Sequence, residues 1–369
     1  MESSTENRTS KQEREPASAE IIEVAPGVLR LQLPVRMPGL GHVNTYLFED
    51  KNGAAVIDPG MPGPGNWKAL RTRLTQAGYR RRDIHTVIVT HSHPDHYGAA
   101  ARLAKVARAE LVAHETFQSW SSDLNPCIDP DHDHTDDEDP DDLCLAHQSG
   151  SHNGPPWSQP MPWTSQTGMG ALARTTAIKA FKPLMRRFAP PTPSRKLRTG
   201  EIISLAGRDW IAHHTPGHTP DHLCLLDPQE NVLISGDHVL PTITPHIAGV
   251  GGGSSPMASF LESLDQIAQL SSVKTVLPAH GHPFNNLVER VQEIRLHHEE
   301  HFETLKQASE KLGWASVADL SHELFSQRNW GFMAESETYA HLEHLRIEGK
   351  AQRERSADSG ELRYLITSD

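Results

Sequence analysis

Six consecutive residues, His91-Ser92-His93-Pro94-Asp95-His96, put four potential metal donors into one short stretch. Imidazole and carboxylate suit a borderline cation such as zinc, and one loop supplying His91, His93, Asp95 and His96 is a strong arrangement for holding it. Three distant segments carry the same chemistry: His218 in TPGHTPDH, Asp237 in SGDH and His280 in LPAHGHP. The chain has 24 histidines, more than its Phe, Tyr and Trp together, so a lone histidine means little and grouping decides. His132 and His134, set among aspartates, read as part of a mobile acidic loop. His222, His238 and His246 lie near the metal segments. They are candidates for protonating a leaving group, although each reads first as a structural or ligand-orienting residue.

These donors need a scaffold that brings their segments together. Strands are expected over 21–35 with a turn at Pro26-Gly27, over 44–49 and over 54–58, and a helix from Trp67 to its stop at Gly78. A β-rich run over 84–90 ends on His91, followed by a helix through Ala99, Leu103 and Val106 and a strand over 110–113. Beyond a long interruption, short strands are expected at 201–205, 209–213, 222–226, 231–235 and 274–277, with helices at 258–270 and 287–312. His91, Asp237 and His280 each follow a β segment, and His218 sits at a sharp turn between two. All can therefore reach one edge of a layered αβ domain, where such folds place their sites.

The interruption, 121–194, is proline-rich and holds nine acidic residues between 128 and 142. A loop this long without its own core reads as a disordered segment or a lid. Its second half includes a possible helix over 171–188. Lys179, Lys182, Arg186, Arg187, Arg195, Lys196 and Arg198 make that end basic, either as a solvated face or as a substrate patch. At the C-terminus, helices over 316–327 and 334–347 and a hairpin of 351–355 with 361–366 suggest a winged-helix shape after the long 287–312 helix. The expected organisation is a solvated tail at 1–19, a main domain at 20–285 and a linking helix with a small second domain at 286–369.

Composition narrows the function classes. A net charge of −12 argues against a surface that wraps nucleic acid. The expected second-domain recognition helix carries Glu335, Glu337, Glu343 and Glu348, so no sequence-specific DNA binding is expected, and the unit reads as a packing or dimer module. Three cysteines, Cys127, Cys144 and Cys224, are too scattered for a disulfide framework. No run approaches the roughly 18 apolar residues that span a bilayer, and the N-terminus lacks the apolar core of a signal peptide. A cytoplasmic enzyme without membrane contact is the expectation.

The motifs quoted above resemble those of the metallo-β-lactamase superfamily, over about residues 20–285 apart from the insertion. The resemblance implies a four-layer αββα sandwich, here with a small C-terminal winged-helix domain, and two divalent metal ions, most naturally Zn2+. It implies that His91, His93 and His218 bind one ion, that Asp95, His96 and His280 bind the other, and that Asp237 bridges them. It also implies that Asp58, in IDPG, orients a ligand histidine. The implied activity is hydrolysis of an ester, thioester or phosphodiester by a metal-bridging hydroxide that Asp95 helps to steer. Within the superfamily, Asp237 sets the chain apart from antibiotic-hydrolysing members. The segment SGDHVLPTITPHI and the C-terminal unit resemble the lactamase-like endoribonuclease branch, which cleaves single-stranded RNA, and TPGHT resembles glyoxalase II. A mononuclear-iron persulfide dioxygenase and a non-enzymatic, metal-stabilised binding protein are the remaining alternatives.

Overall fold

A computed structural model of the chain describes residues 11–118, 161–164, 190–251 and 255–367. The expected 171–188 helix, the acidic stretch with His132 and His134, and Lys179, Lys182, Arg186 and Arg187 lie outside the described residues.

Two sheets carry the main domain. The first runs β1 (Ile21–Ala25), β2 (Val28–Met37), β3 (Leu40–Asp50), β4 (Gly53–Ile57), β5 (Ile84–Ile88), β6 (Glu110–His114) and β7 (Arg195–Leu197), in that spatial order. It is antiparallel from β1 to β4 and parallel from β4 to β7. The second sheet comprises β8 (Ile202–Leu205), β9 (Arg208–His214), β10 (Leu223–Asp227), β11 (Val232–Gly236) and β12 (Thr275–Pro278), ordered β12-β11-β10-β9-β8. Its β11–β12 pair is parallel. Strands such as LCLLD and VLISG are buried at every position, as expected for strands covered on both faces.

Three apolar layers follow from this pairing. Helices α1 (Pro64–Gln76), α2 (Pro94–Tyr97) and α3 (Ala100–Ala107) cover the outer face of the first sheet, where Trp67, Leu70, Leu74 and Leu103 pack on Leu33, Val56 and Val87. Between the sheets lie Tyr46, Phe48, Ile57, Trp210, Leu225 and Leu277. Helices α4 (Pro256–Ala268) and α5 (Leu287–Leu312) close the other side through Met257, Phe260, Leu264, Val291 and Ile294. The result is the expected four-layer sandwich. Trp210 meets Phe48 edge-to-face at 5.1 Å across the inter-sheet layer and is fully buried. Trp210→Ala should lower stability by about 3–5 kcal/mol, read as a shift of the urea unfolding midpoint.

The last described segment adds β13 (Ala315–Ser316), α6 (Val317–Leu324), α7 (Phe332–Ile347), β14 (Ala351–Arg355) and β15 (Leu362–Ile366), with strand order β13-β15-β14. Helix α5 serves two cores: Val291 and Ile294 belong to the sandwich, and Leu305 and Ala308 to a C-terminal cluster with Leu320, Leu342 and Tyr364. Helix α7 is buried almost throughout, including Glu343, which receives the Tyr364 hydroxyl at 2.5 Å and pairs with Arg353 at 3.1 Å. Glu337 and Glu343 therefore turn inward, contrary to the expected acidic outer face.

Residues 11–19 differ from the expected solvated tail. Residues Gln12–Arg14 form a 3-10 turn, and the buried Glu13 carboxylate accepts from the amides of Thr242 and Ile243 at 2.8 and 3.1 Å. Its partners lie some 230 residues away in sequence, which local patterning cannot reveal. Strand β7, also not expected, has only three residues, two of them charged.

Candidate metal centre

The parallel pairs β4–β5 and β11–β12 bring their C-terminal ends to one edge of the sandwich, the position at which open αβ sheets bind ligands. Asp58 follows β4, the HSHPDH loop follows β5, Asp237 follows β11 and His280 follows β12. His218 lies in the β9–β10 connection. Bonds across this edge lock the segments together: Leu223 N–H to the Thr90 carbonyl at 2.9 Å, Ala279 N–H to that of Gly236 at 2.9 Å, and Asn44 N–H to that of Ala279 at 2.6 Å.

All seven expected donors meet there, in two groups. Donor atoms of His91, His93, His218 and Asp237 lie within 4.8 Å of one another, as do those of Asp95, His96 and His280. In the first group His93 Nδ1 is 3.1 Å from His91 Nε2 and 3.0 Å from His218 Nε2, and Asp237 Oδ2 is 3.4 Å from His218 Nε2. In the second, Asp95 Oδ2 is 3.5 Å from His96 Nε2 and 3.4 Å from His280 Nε2. Asp237 faces both groups, with Oδ2 3.6 Å from His96 Nε2 and Oδ1 3.4 Å from His280 Nε2. Ligands around a tetrahedral zinc sit about 3.4 Å apart, so this spacing fits bound cations. The buried His96 Nε2, His280 Nε2 and Asp237 Oδ1 have no hydrogen-bond partner, which a cation would supply.

The far side of each ring decides which nitrogen faces the centre. His96 Nδ1–H donates to Asp58 Oδ2 at 2.9 Å, His280 Nδ1–H to the His42 carbonyl at 2.6 Å and His218 Nδ1–H to the His246 carbonyl at 2.8 Å. The Thr90 hydroxyl donates to Asp58 Oδ2 at 2.7 Å and accepts from His91 Nδ1–H at 3.0 Å. Asp58 thus orients His96 directly and His91 through Thr90, a relay that the sequence reading missed although Thr90 directly precedes the motif. Asp58 holds φ at 50°, an uncommon conformation for a non-glycine residue, secured by Thr90 N–H at 2.8 Å on its Oδ1 and by the Thr45 hydroxyl at 2.6 Å on its carbonyl. Removing such an orienting carboxylate lowers metal affinity or activity about 10–100-fold in comparable sites. Asp58→Ala is expected to fall in that range, measured as Zn2+ affinity by chelator competition.

Of the three leaving-group candidates, His222 and His238 are fully buried. His222 Nε2 accepts the Asp237 amide at 3.0 Å and its Nδ1 meets the Thr215 hydroxyl at 2.8 Å, so its role is to position the Asp237 backbone. Gly236 lets that contact form: a Cβ there would sit 2.6 Å from His222 Nε2. His246 alone of the three reaches solvent, with its ring bonded to Glu337 at 3.0 Å.

Charge completes the site. Burial holds His91 well below its ordinary pKa and pushes His93 down to about 3. Burial also opposes charge on His96 and His280. The carboxylates of Asp95 and Asp237 outweigh it, raising His96 well above the ordinary value and His280 to about 10. Asp95 and Asp237 are pulled well below the usual carboxylate range by the same histidines, despite burial. The edge is thus built to hold positive charge.

The model of the metallo-beta-lactamase superfamily matches residues 38–280, a span that contains every one of these donors. The chain belongs to that superfamily. Among crystal structures, a beta-lactamase domain protein from Burkholderia ambifaria superposes with a TM-score of 0.73 at 26% identity, covering 96% of both chains. A metallo-beta-lactamase family protein from Thermus thermophilus does so at 0.68 and 26%, covering 93% of this chain and 100% of that one. Among curated proteins, the lactamase-like protein nscB of Aspergillus fumigatus is 33% identical over 158 residues, 42% of this chain and 41% of its own length. The lactamase-like protein aptB of Emericella nidulans is 30% identical over 112 residues, 30% of this chain and 33% of its own length. The chain thus spans about two-fifths or less of the length of these curated relatives. Among the described residues, no helix is long and apolar enough to cross a membrane.

Proposed function

We propose that this superfamily member is a dinuclear metal-dependent hydrolase that cleaves an acyl ester or thioester. The observation that carries the reading is the pair of donor groups sharing Asp237. His91, His93 and His218 would hold one ion and Asp95, His96 and His280 the other, with zinc the ion that best suits imidazole and carboxylate donors. When bound, two such cations lower the pKa of a water toward neutrality and polarise the electrophile's oxygen. The chain's own part is to hold the donors rigidly through Asp58, Thr90 and the carbonyls of His42 and His246, and to keep a carboxylate, Asp95, ionised beside the reacting water.

Two features support an acyl electrophile over an RNA phosphodiester. The described end of the basic stretch is engaged with acids, Arg195 with Glu110 at 3.6 Å and Arg198 with Glu115 at 2.7 Å. The C-terminal unit has the element order of a winged helix, but α7, its would-be reading helix, is buried over 334–345 on nearly every face. It exposes mainly the apolar Phe332, Met333 and Ile347 at its ends, which do not suit a phosphate-lined groove. We read that unit as packing and the enzyme as cytoplasmic.

Thioester, ester and labelled single-stranded RNA substrates should be offered to the chelated and Zn2+-restored protein. Acyl hydrolysis that chelation abolishes and Zn2+ restores is expected, with RNA left intact. RNA cleavage without acyl hydrolysis would establish the endoribonuclease alternative. Asp237→Ala should lose both strand-end equivalents, measured as metal per chain; iron as the sole tightly held metal would favour the dioxygenase.

A further inference from the structure

A second group of histidines lies away from the sandwich edge, where α5 passes from one core to the other. His297, His298 and His301 come from α5, and His341 faces them from α7. One ring nitrogen each from His298, His301 and His341 lies within 4.8 Å of the others, and His297, His301 and Glu337 form an overlapping triad on the same limit. His298 Nδ1 is 3.1 Å from His341 Nε2. The His341 Nδ1–H donates to the Glu337 carbonyl at 2.7 Å, so its Nε2 turns a lone pair toward His298 and His301.

Ordinary packing does not account for this arrangement. His301 Nδ1 is buried without a hydrogen-bond partner, an unfavourable state for a polar atom that could have stayed in water. His298 Nδ1 has the His341 Nε2 beside it, while its other nitrogen is also buried and unpartnered. Burial, reinforced by the neighbouring imidazoles, pushes His298 down to about 2 and His301 to about 3, so both are neutral lone-pair donors at pH 7. Neutral imidazoles crowded together with bare nitrogens are what a cation requires of its ligands.

We infer that His298, His301 and His341 form an additional site for a single first-row divalent cation, which clamps α7 to α5. Three imidazoles suit Zn2+, Co2+, Ni2+ or Cu2+, whereas Mg2+ and Ca2+ demand oxygen ligands. Glu337 stands beside the cluster and can compensate the charge. Its Oε2 also pairs with His246 Nδ1 at 3.0 Å, and the His246 carbonyl accepts from His218 Nδ1 at 2.8 Å. The clamp would therefore also steady the segment that aims His218, linking the C-terminal unit to the catalytic edge.

The test compares three full-length proteins dialysed against Zn2+ and assayed for metal by plasma mass spectrometry. They are the wild type, a strand-end variant (His93→Ala with Asp237→Ala) and a clamp variant (His301→Ala with His341→Gln). The clamp variant is expected to bind one equivalent fewer than the wild type. The strand-end variant is expected to keep one equivalent, and Zn2+ should raise its melting temperature. Equal metal in the clamp variant and wild type would overturn the site. So would a folded strand-end variant that binds none, a result that does not depend on whether the clamp variant folds.

Discussion

Asp95→Asn is expected to lower kcat/KM by about 10³-fold or more, with the far-UV circular dichroism unchanged. Asp95 sits in the one-turn α2 at the end of the motif loop, so an isosteric amide disturbs little packing. What it removes is charge at the reacting centre. The Asp95 carboxylate stays ionised although buried, because His96 and His280 each lie within 3.5 Å of its Oδ2. Asparagine keeps the shape, loses the anion and weakens one ligand of the second donor group. Turnover of the cleaved acyl substrate should be compared at matched metal content, which separates lost chemistry from lost loading. A fully loaded variant within tenfold of the wild type would remove Asp95 from the reaction and leave it a plain structural donor.

The parts of the site legible in sequence share one property: each lies at the end of an apolar run. β5 and β11 are short β-rich segments that stop shortly before His91 and just before Asp237, and the parallel pairing that aligns their ends follows from burial on both faces. The same reasoning placed His280 after β12. What stayed hidden depends on partners remote in the chain. Glu13 looks like one charge in a charged tail until Thr242 and Ile243 supply their amides. Glu337 and Glu343 look like an acidic surface, because counting acids on a helix assumes that it has an outer face, and α7 has almost none. His222 looks like a proton donor because it is near the metal segments, but its ring is spent on the Asp237 amide and Thr215. Spacing can locate donors, while the outer bonds that aim them emerge only from the fold. The neighbours of His298 are a further case. The HHEEH run displays its histidines openly in sequence, but His341, which makes them a candidate ligand set, arrives from another helix.

Acidification should strip the two strand-end ions unequally, the one held by Asp95, His96 and His280 being lost first. In the metal-free chain His280 carries its proton up to about pH 10 and His96 holds one well above the ordinary histidine range. For a histidine raised in this way, the stabilisation from protonation is complete below the unfolded pKa of about 6.5 and fades as pH climbs through the folded value. A cation competes with those protons, so loading this group must expel up to two of them at pH 7–8, and its apparent affinity should rise by about 10–100-fold per pH unit there. The group of His91, His93, His218 and Asp237 behaves differently. Burial already keeps His91 and His93 neutral, so they release no proton on binding in this window and their affinity should change far less. Zn2+ titration against a competing chelator at several values between about pH 6.5 and 8.5, with proton release followed by an indicator dye, resolves the two slopes. Site variants assign them: Asp95→Asn, which removes one of the carboxylates that keep His96 and His280 protonated, should flatten the steep component, and His93→Ala should weaken the shallow one. Two equal slopes would mean that the carboxylates do not bias the edge toward holding protons in place of metal, and the charge pattern described for the centre would fail with them.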